Sequence, residues 1–326
     1  MNIDIHAHLV PLELVEATRS ASIAGVFVTE HRQDRYSFSI GGEETRVLPP
    51  RLVDREERLL WMDENGIDLQ IVGTWADLFG YTLPERQGVE WSRVLNQTLL
   101  DAVSGTDRLE AFASLPLQSP ASSVGMIPEI ADDGFLGVTF ATRIAGMELD
   151  DPELEVIWAA LSEAEMTAFI HPGYAASDQR TADYGMANAV GRPVDTTIAA
   201  ARLLGAAIPI KFPGARIVLA HGGGAVATIL GRLRRNHEIH PDVGDPDAGL
   251  ARLYFDTVVF DPDALCYLFS KAAPQSVLLG SDYPFPIGDP SPIEVVKAAA
   301  CLSESERAFI LGQGAAQLLG IDGMDW

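Results

Sequence analysis

The stretch Asn2-Ile3-Asp4-Ile5-His6-Ala7-His8 decides the fold. It is a short run of branched and small apolar residues that ends on two histidines at i and i+2. Side chains along a strand repeat every two residues, so Asp4, His6 and His8 are expected on one side of it, and two imidazoles so placed can meet one ion. Seven more runs of this kind follow, at residues 68–73, 109–115, 136–141, 168–171, 216–221, 253–258 and 277–282. Short, nearly continuous apolar runs are what strands buried on both faces of a parallel sheet look like. Three of the runs end on a polar residue able to bind metal: His171, His221 and Asp282.

Helical patterns alternate with these runs. Those at 54–65, 89–104 and 119–133 close on Gly66, Gly105 and Gly134, glycine being the residue best suited to a left-handed C-cap. Others lie at 151–163, 192–208, 225–236, 262–272 and 303–311. Eight strands in this rhythm predict an α/β fold, a (β/α)8 TIM barrel, as one domain over residues 1–326. One segment, about 26–50, breaks the rhythm with Val26-Phe27-Val28, Tyr36-Ser37-Phe38-Ser39-Ile40, a Gly41-Gly42 turn and Thr45-Arg46-Val47. It reads as a small antiparallel β insertion after strand 1. Residues 322–326 read as a frayed tail.

Composition narrows the function. With 47% hydrophobic and 21% charged residues the chain can bury a core and has no signature of disorder. A formal net charge of -23 opposes nucleic acid and anionic membrane as partners, because phosphate is bound through excess Lys and Arg. No run of uncharged apolar residues is long enough to span a bilayer, and the N-terminus lacks a basic segment followed by a long apolar one, so a cytoplasmic protein is expected. Cys266 and Cys301 lie far apart among apolar neighbours and are expected as two buried thiols.

Four of the seven histidines, His6, His8, His171 and His221, fall at the ends of strands, where barrels of this kind place catalytic groups. Three imidazoles, a carboxylate and an open water position suit Zn²⁺ or a similar first-row ion. Asp256, at the end of the seventh run, reads either as orienting a ligand or as a strand-end cap. His31, His237 and His240 read as surface residues. The glycines after His221 do not form a dinucleotide fingerprint, so no redox cofactor is expected.

The order His-x-His after strand 1, His after strand 5, His after strand 6 and Asp after strand 8 resembles the amidohydrolase superfamily. The strings Asp4-Ile5-His6-Ala7-His8, His171-Pro172, His221-Gly222-Gly223-Gly224 and Gly280-Ser281-Asp282-Tyr283-Pro284-Phe285-Pro286 resemble its aminocarboxymuconate-semialdehyde decarboxylase branch. The likeness spans essentially the whole chain, including Phe79-Gly80-Tyr81 and the insertion. It implies one divalent metal, usually zinc, with manganese or another first-row ion as the alternative. His6, His8, His171 and Asp282 would hold it, and His221 would act as acid/base beside Asp282. Binuclear relatives use a carboxylated lysine after strand 4; the lysines here, Lys211, Lys271 and Lys297, lie elsewhere, so a single metal is expected.

Arg46 and Arg232 align with family positions that clamp substrate carboxylates, Arg232 reaching the neighbouring site of a homodimer. Phe79, Tyr174 and Tyr184 are the expected pocket aromatics; the two tyrosines depart from the family's tryptophans, which implies a reshaped pocket. The implied activity is nonoxidative decarboxylation of a small unsaturated or aromatic carboxylic acid, so the partner is a small anionic carboxylate. Hydrolysis or hydration of a related ring-cleavage product, lactone or ester at the same centre is the alternative. A non-catalytic barrel is the third reading, against which His221 argues, since in the family pattern it is no ligand.

Overall fold

The computed structural model describes residues 1–32, 35–173 and 178–321, so Tyr174 and the expected tail at 322–326 lie outside the described residues. All eight expected runs form barrel strands: β1 (Ile3–Leu9), β2 (Leu69–Thr74), β3 (Leu109–Ala111, resuming at Ala113–Ser114), β4 (Gly137–Ala141), β5 (Thr167–His171), β6 (Arg216–Leu219), β7 (Tyr254–Asp256) and β8 (Val277–Leu278). Neighbours pair in parallel from β1 round to β8. The ring closes where Ile5 N donates to Leu279 O at 2.9 Å and His8 N to Tyr283 O at 2.8 Å.

Both strand faces are buried. One set, including Ile3, Ile5, Leu69, Ile71, Phe112, Phe169, Val218 and Leu278, forms an inner cluster with Ala315 and Leu318 of the helix Gly314–Leu319. The alternate set, including Val72, Ala111, Val138, Ile170 and Leu219, packs against helix residues such as Leu99, Ile157 and Leu203. Each Val, Leu, Ile or Phe among them removed from water contributes about 2 kcal/mol.

Helix boundaries follow local chemistry. Asp54 caps the helix Arg55–Glu64 by accepting from Glu57 N at 2.8 Å. Gly66 and Gly134 turn left-handed at φ +65° and +87° as expected, whereas Gly105 stays out of that region. The helix Glu85–Val103 starts four residues before the expected 89. The insertion is antiparallel over Phe27–His31, Arg35–Ile40 and Glu43–Glu44. Gly41 and Gly42, at φ +59° and +86°, join Ile40 to its partner Glu43 in a two-residue turn that suits the strand twist. The third strand therefore falls at Glu43–Glu44 rather than at Thr45-Arg46-Val47.

Two further expectations are corrected. The register of β1 against β2 slips between Asp4 and Ala7, a bulge that puts one extra residue in β1. Period two breaks there, so Asp4 does not share His6's side: His6 packs on Phe169 of the inner cluster, while Asp4 pairs with Gln70 and, through it, with helix residue Arg58. The cysteines are not buried thiols. Cys266 and Cys301 form a disulfide with their Cα atoms 5.7 Å apart, because the helices Pro262–Phe269 and Pro292–Ala298 pack together, and Cys301 is exposed.

Candidate metal centre

His6 lies on β1 within the bulge and His8 on β1 just after it, His171 ends β5, and His221 and Asp282 follow β6 and β8. The last two are not strand residues in the structure. Both have left-handed backbones, His221 at φ +56° and Asp282 at φ +59°, costly for residues bearing a Cβ. These turns aim the five side chains at one another. Asp282 Oδ1 lies 3.2 Å from His6 Nε2, 3.2 Å from His8 Nε2 and 3.9 Å from His171 Nε2, and Asp282 Oδ2 lies 3.5 Å from His221 Nε2. His6, His171, His221 and Asp282 each offer an atom within 4.8 Å of all the others, and His8 Nε2 stands 3.3 Å from His6 Nε2. The geometry thus gathers the four expected ligands and His221 alike.

The donor set suits a cation. Both ring nitrogens of His171, and Asp282 Oδ1, are buried with no hydrogen-bond partner. Leaving such groups orphaned away from water is costly, and a divalent ion would satisfy them together. Burial alone would drive the His6 imidazole down, yet the carboxylates of Asp282 and Asp256 outweigh it and push it up to about 10. His171 is held well below the usual histidine range by burial and by His8, His6 and His221, and burial also lowers His8. Burial would raise Asp282, but His6 and His221 hold it well below the usual carboxylate range.

Behind the centre runs a buried polar chain absent from the sequence reading. Arg58 on the helix Arg55–Glu64 is fully buried, donates to Gln70 Oε1 at 2.5 Å and to the His8 carbonyl, and lies over the Tyr283 ring. Gln70 Nε2 donates to Asp4 Oδ2 at 2.8 Å; Asp4 also accepts from Ser281 N and His6 N, both at 3.0 Å, and from Ser281 Oγ at 2.5 Å. Arg58 and Gln70 carried no motif, since their role exists only once a helix, β1, β2 and β8 meet.

A cleft of about 440 Å³ opens over the C-terminal ends of β2, β4 and β5, lined among others by Ile40, Phe79, Tyr81, Thr142 and Gly173, the last two residues beyond His171. Phe79 is buried, lines the cleft and stacks on Tyr81 with ring centroids 5.4 Å apart. Arg46 lies against the cleft through its partner Asp77, which its Nε and Nη2 bind in a two-bond fork at 2.9 Å each. Tyr184 is not brought to the centre; it stands 96% exposed. Arg232 is exposed on the helix Val226–Ile239 and does not join its own chain's site. Tyr174 lies outside the described residues. The cleft is acidic: Glu43, Glu44, Asp77 and Asp195 line it, with Arg143 as the cation among the lining residues.

Residues 3–321 match the family model described as amidohydrolase. The chain belongs to that family. Among its curated relatives, this amidohydrolase is 26% identical to 2-amino-3-carboxymuconate-6-semialdehyde decarboxylase of Dictyostelium discoideum, over 99% of this chain and 92% of that protein. It is 26% identical to γ-resorcylate decarboxylase of Rhodococcus jostii, over 84% of this chain and 90% of that one. Among solved structures, 5-carboxyvanillate decarboxylase from Sphingomonas paucimobilis superposes with a TM-score of 0.80 at 23% identity, covering 98% of this chain and 99% of that one. The barrel is thus the amidohydrolase barrel, with a His/Asp group suited to one metal ion at the C-terminal ends of its strands.

Proposed function

We propose that this amidohydrolase removes CO₂ without redox chemistry from a small aromatic or unsaturated carboxylic acid, using one divalent ion, zinc, held by His6, His8, His171 and Asp282. The observation that carries the reading is the orphaned, buried donor set of His171 and Asp282 with His221 Nε2 3.5 Å away, in a chain whose relatives are decarboxylases. When bound, the ion supplies positive charge that fixes and polarises a substrate oxygen. His221 holds the proton at Nε2 and delivers it to the carbon that bears the carboxylate. The C–CO₂ bond then breaks, its electron pair returns to the unsaturated system, and neutral CO₂ leaves, so one proton in balances one carboxylate lost.

None of the five centre residues lines the cleft, but its lining comes within two residues of His171 at Gly173, and as the substrate's entrance it favours one substrate type. In this chain the fork of Arg46 is engaged by Asp77, and the remaining carboxylates of the lining repel a second carboxylate while accepting hydrogen bonds from hydroxyl or amino groups. A monocarboxylate bearing such donors, of the hydroxybenzoate kind, therefore fits better than a dicarboxylate. Homodimerisation belongs to the same reading: Val190, Val194 and Ile198 expose an apolar ridge at i, i+4 and i+8. Val194 and Ile198 sit on the helix Arg192–Gly205, which packs against the helix that carries Arg232. The Cys266–Cys301 disulfide weighs against the expected cytoplasmic location, since reducing compartments keep cysteines as thiols. No helix among the described residues is long and apolar enough to cross a membrane.

The test is metal analysis of the purified protein with CO₂ release from hydroxy- and aminobenzoates and from amino-substituted muconate semialdehydes. About one zinc per chain, CO₂ release favouring monocarboxylates, and a rate loss of about 10²-fold or more in His221→Ala are expected. Metal without CO₂ release, or a stable water adduct instead, would turn the reading to a hydrolase or hydratase.

A further inference from the structure

Asp256 ends β7 fully buried, and its carboxylate serves two different parts of the centre. Asp256 Oδ2 accepts from His6 Nδ1 at 2.6 Å and from the backbone N–H of His221 at 3.0 Å. Asp256 Oδ1 accepts from the backbone N–H of Gly222 at 2.8 Å and of Val258 at 3.1 Å. The first of these bonds orients His6: with its Nδ1–H given to the carboxylate, Nε2 is turned toward Asp282, where its lone pair would face a bound ion. The next two draw in the backbone of His221 and Gly222, both left-handed, at φ +56° and +60°. That strained turn is what places His221 Nε2 against Asp282. Two amide N–H groups converging on one carboxylate offset the cost of the turn, as charge-assisted bonds do.

The surroundings are built for this approach. A Cβ on Gly280 would stand 2.9 Å from Asp256 Cβ and 3.1 Å from His6 Cβ, so any side chain at position 280 would wedge the pair apart. Gly280 does not adopt a left-handed backbone, so it is space rather than conformation that requires glycine there.

We infer that Asp256 is a positioning residue that ties the metal ligand His6 to the acid/base His221, so that one carboxylate sets both the direction of the ligand's lone pair and the place of the proton carrier. The inference rests on the metal centre of the proposed function and does not need its substrate. Asp256→Asn keeps the shape but brings an NH₂ where at least one of the four N–H donors must be faced.

The experiment follows Zn²⁺ affinity by competition with a chromophoric chelator, and the seven histidine rings by long-range ¹H–¹⁵N spectra of the Zn²⁺-loaded protein. In Asp256→Asn the affinity is expected to fall 10- to 100-fold. The ring signals of both His6 and His221 are expected to move while those of His31, His237 and His240 stay, which also shows that the variant is folded. Gly280→Ala, which keeps the carboxylate but pushes Asp256 and His6 apart, should move the same two rings with a smaller affinity loss. Displacement of His6 alone, or Zn²⁺ affinity within twofold of the unmodified protein, would overturn the coupling. Failure of the unmodified protein itself to bind Zn²⁺ would overturn the proposed function instead.

Discussion

His6 lies between two carboxylates, Asp256 on Nδ1 and Asp282 on Nε2, and with its pKa pushed up to about 10 it is an imidazolium at neutral pH when no ion is bound. A metal needs the neutral ring, so an entering ion must displace that proton. Between pH 7 and 8, which is below the raised pKa, titration calorimetry in buffers of different ionisation enthalpy should show about one proton released per metal; a buffer-independent heat would refute this. Arg58 makes a separate prediction. Arg58→Met retains most of the apolar stem but leaves the Gln70 oxygen and the His8 carbonyl without their donor, and Asp4 loses the cation at the end of its chain. The expected cost is about 3 kcal/mol by chemical denaturation. A cost below about 1 kcal/mol would mean that water or repacking replaces the guanidinium.

At the scale of elements, the insertion's turn distinguishes two adjacent glycines. A Cβ on Gly41 would meet Thr82 Oγ1 at 2.4 Å, whereas one on Gly42 meets nothing within 4 Å, although both positions have positive φ. Asparagine tolerates that backbone. Gly42→Asn should therefore leave the melting temperature nearly unchanged, and Gly41→Asn should lower it measurably and disturb the cleft that Ile40, Glu43 and Thr82 line. Equal effects in a thermal melt would contradict the packing. The strands themselves were legible because parallel strands buried on both faces write themselves as apolar runs. Less legible was where each strand stops being regular: β6 was expected to reach His221 and β8 to reach Asp282, but the ladders end at Leu219 and Leu278. Polar residues that must turn inward leave the ladder, and no periodicity marks that departure. Nothing in the sequence marks the bulge in β1 either, since a single added residue looks like any other.

Over the whole molecule, the disulfide has the widest reach. It closes a loop of sequence separation 35 that contains β8, Asp282 and the helix Pro292–Ala298. Cross-linking a loop of this length removes unfolded-state entropy equivalent to about 4 kcal/mol. Replacing Cys266 and Cys301 by serine should lower stability by an amount approaching that figure in chemical denaturation, while the metal content of the folded protein stays near that of the unmodified chain. Loss of metal along with stability would show that the bridge also holds Asp282 in place.

The order of strands and helices and the barrel were determined by the sequence alone, because burial on two faces leaves a residue-type signature along the chain, and the convergence of His6, His8, His171, His221 and Asp282 was legible in their places at strand ends. The tertiary structure alone decided which partners those residues have. Asp256 holding His6 and the His221 turn, Arg58 reaching Asp4 through Gln70, Asp77 engaging Arg46 and Cys266 meeting Cys301 join positions from 31 to 250 residues apart, or link through an intermediate residue. Hydrogen bonds and disulfides depend on distances of a few ångströms, and only chain closure into the barrel sets those distances.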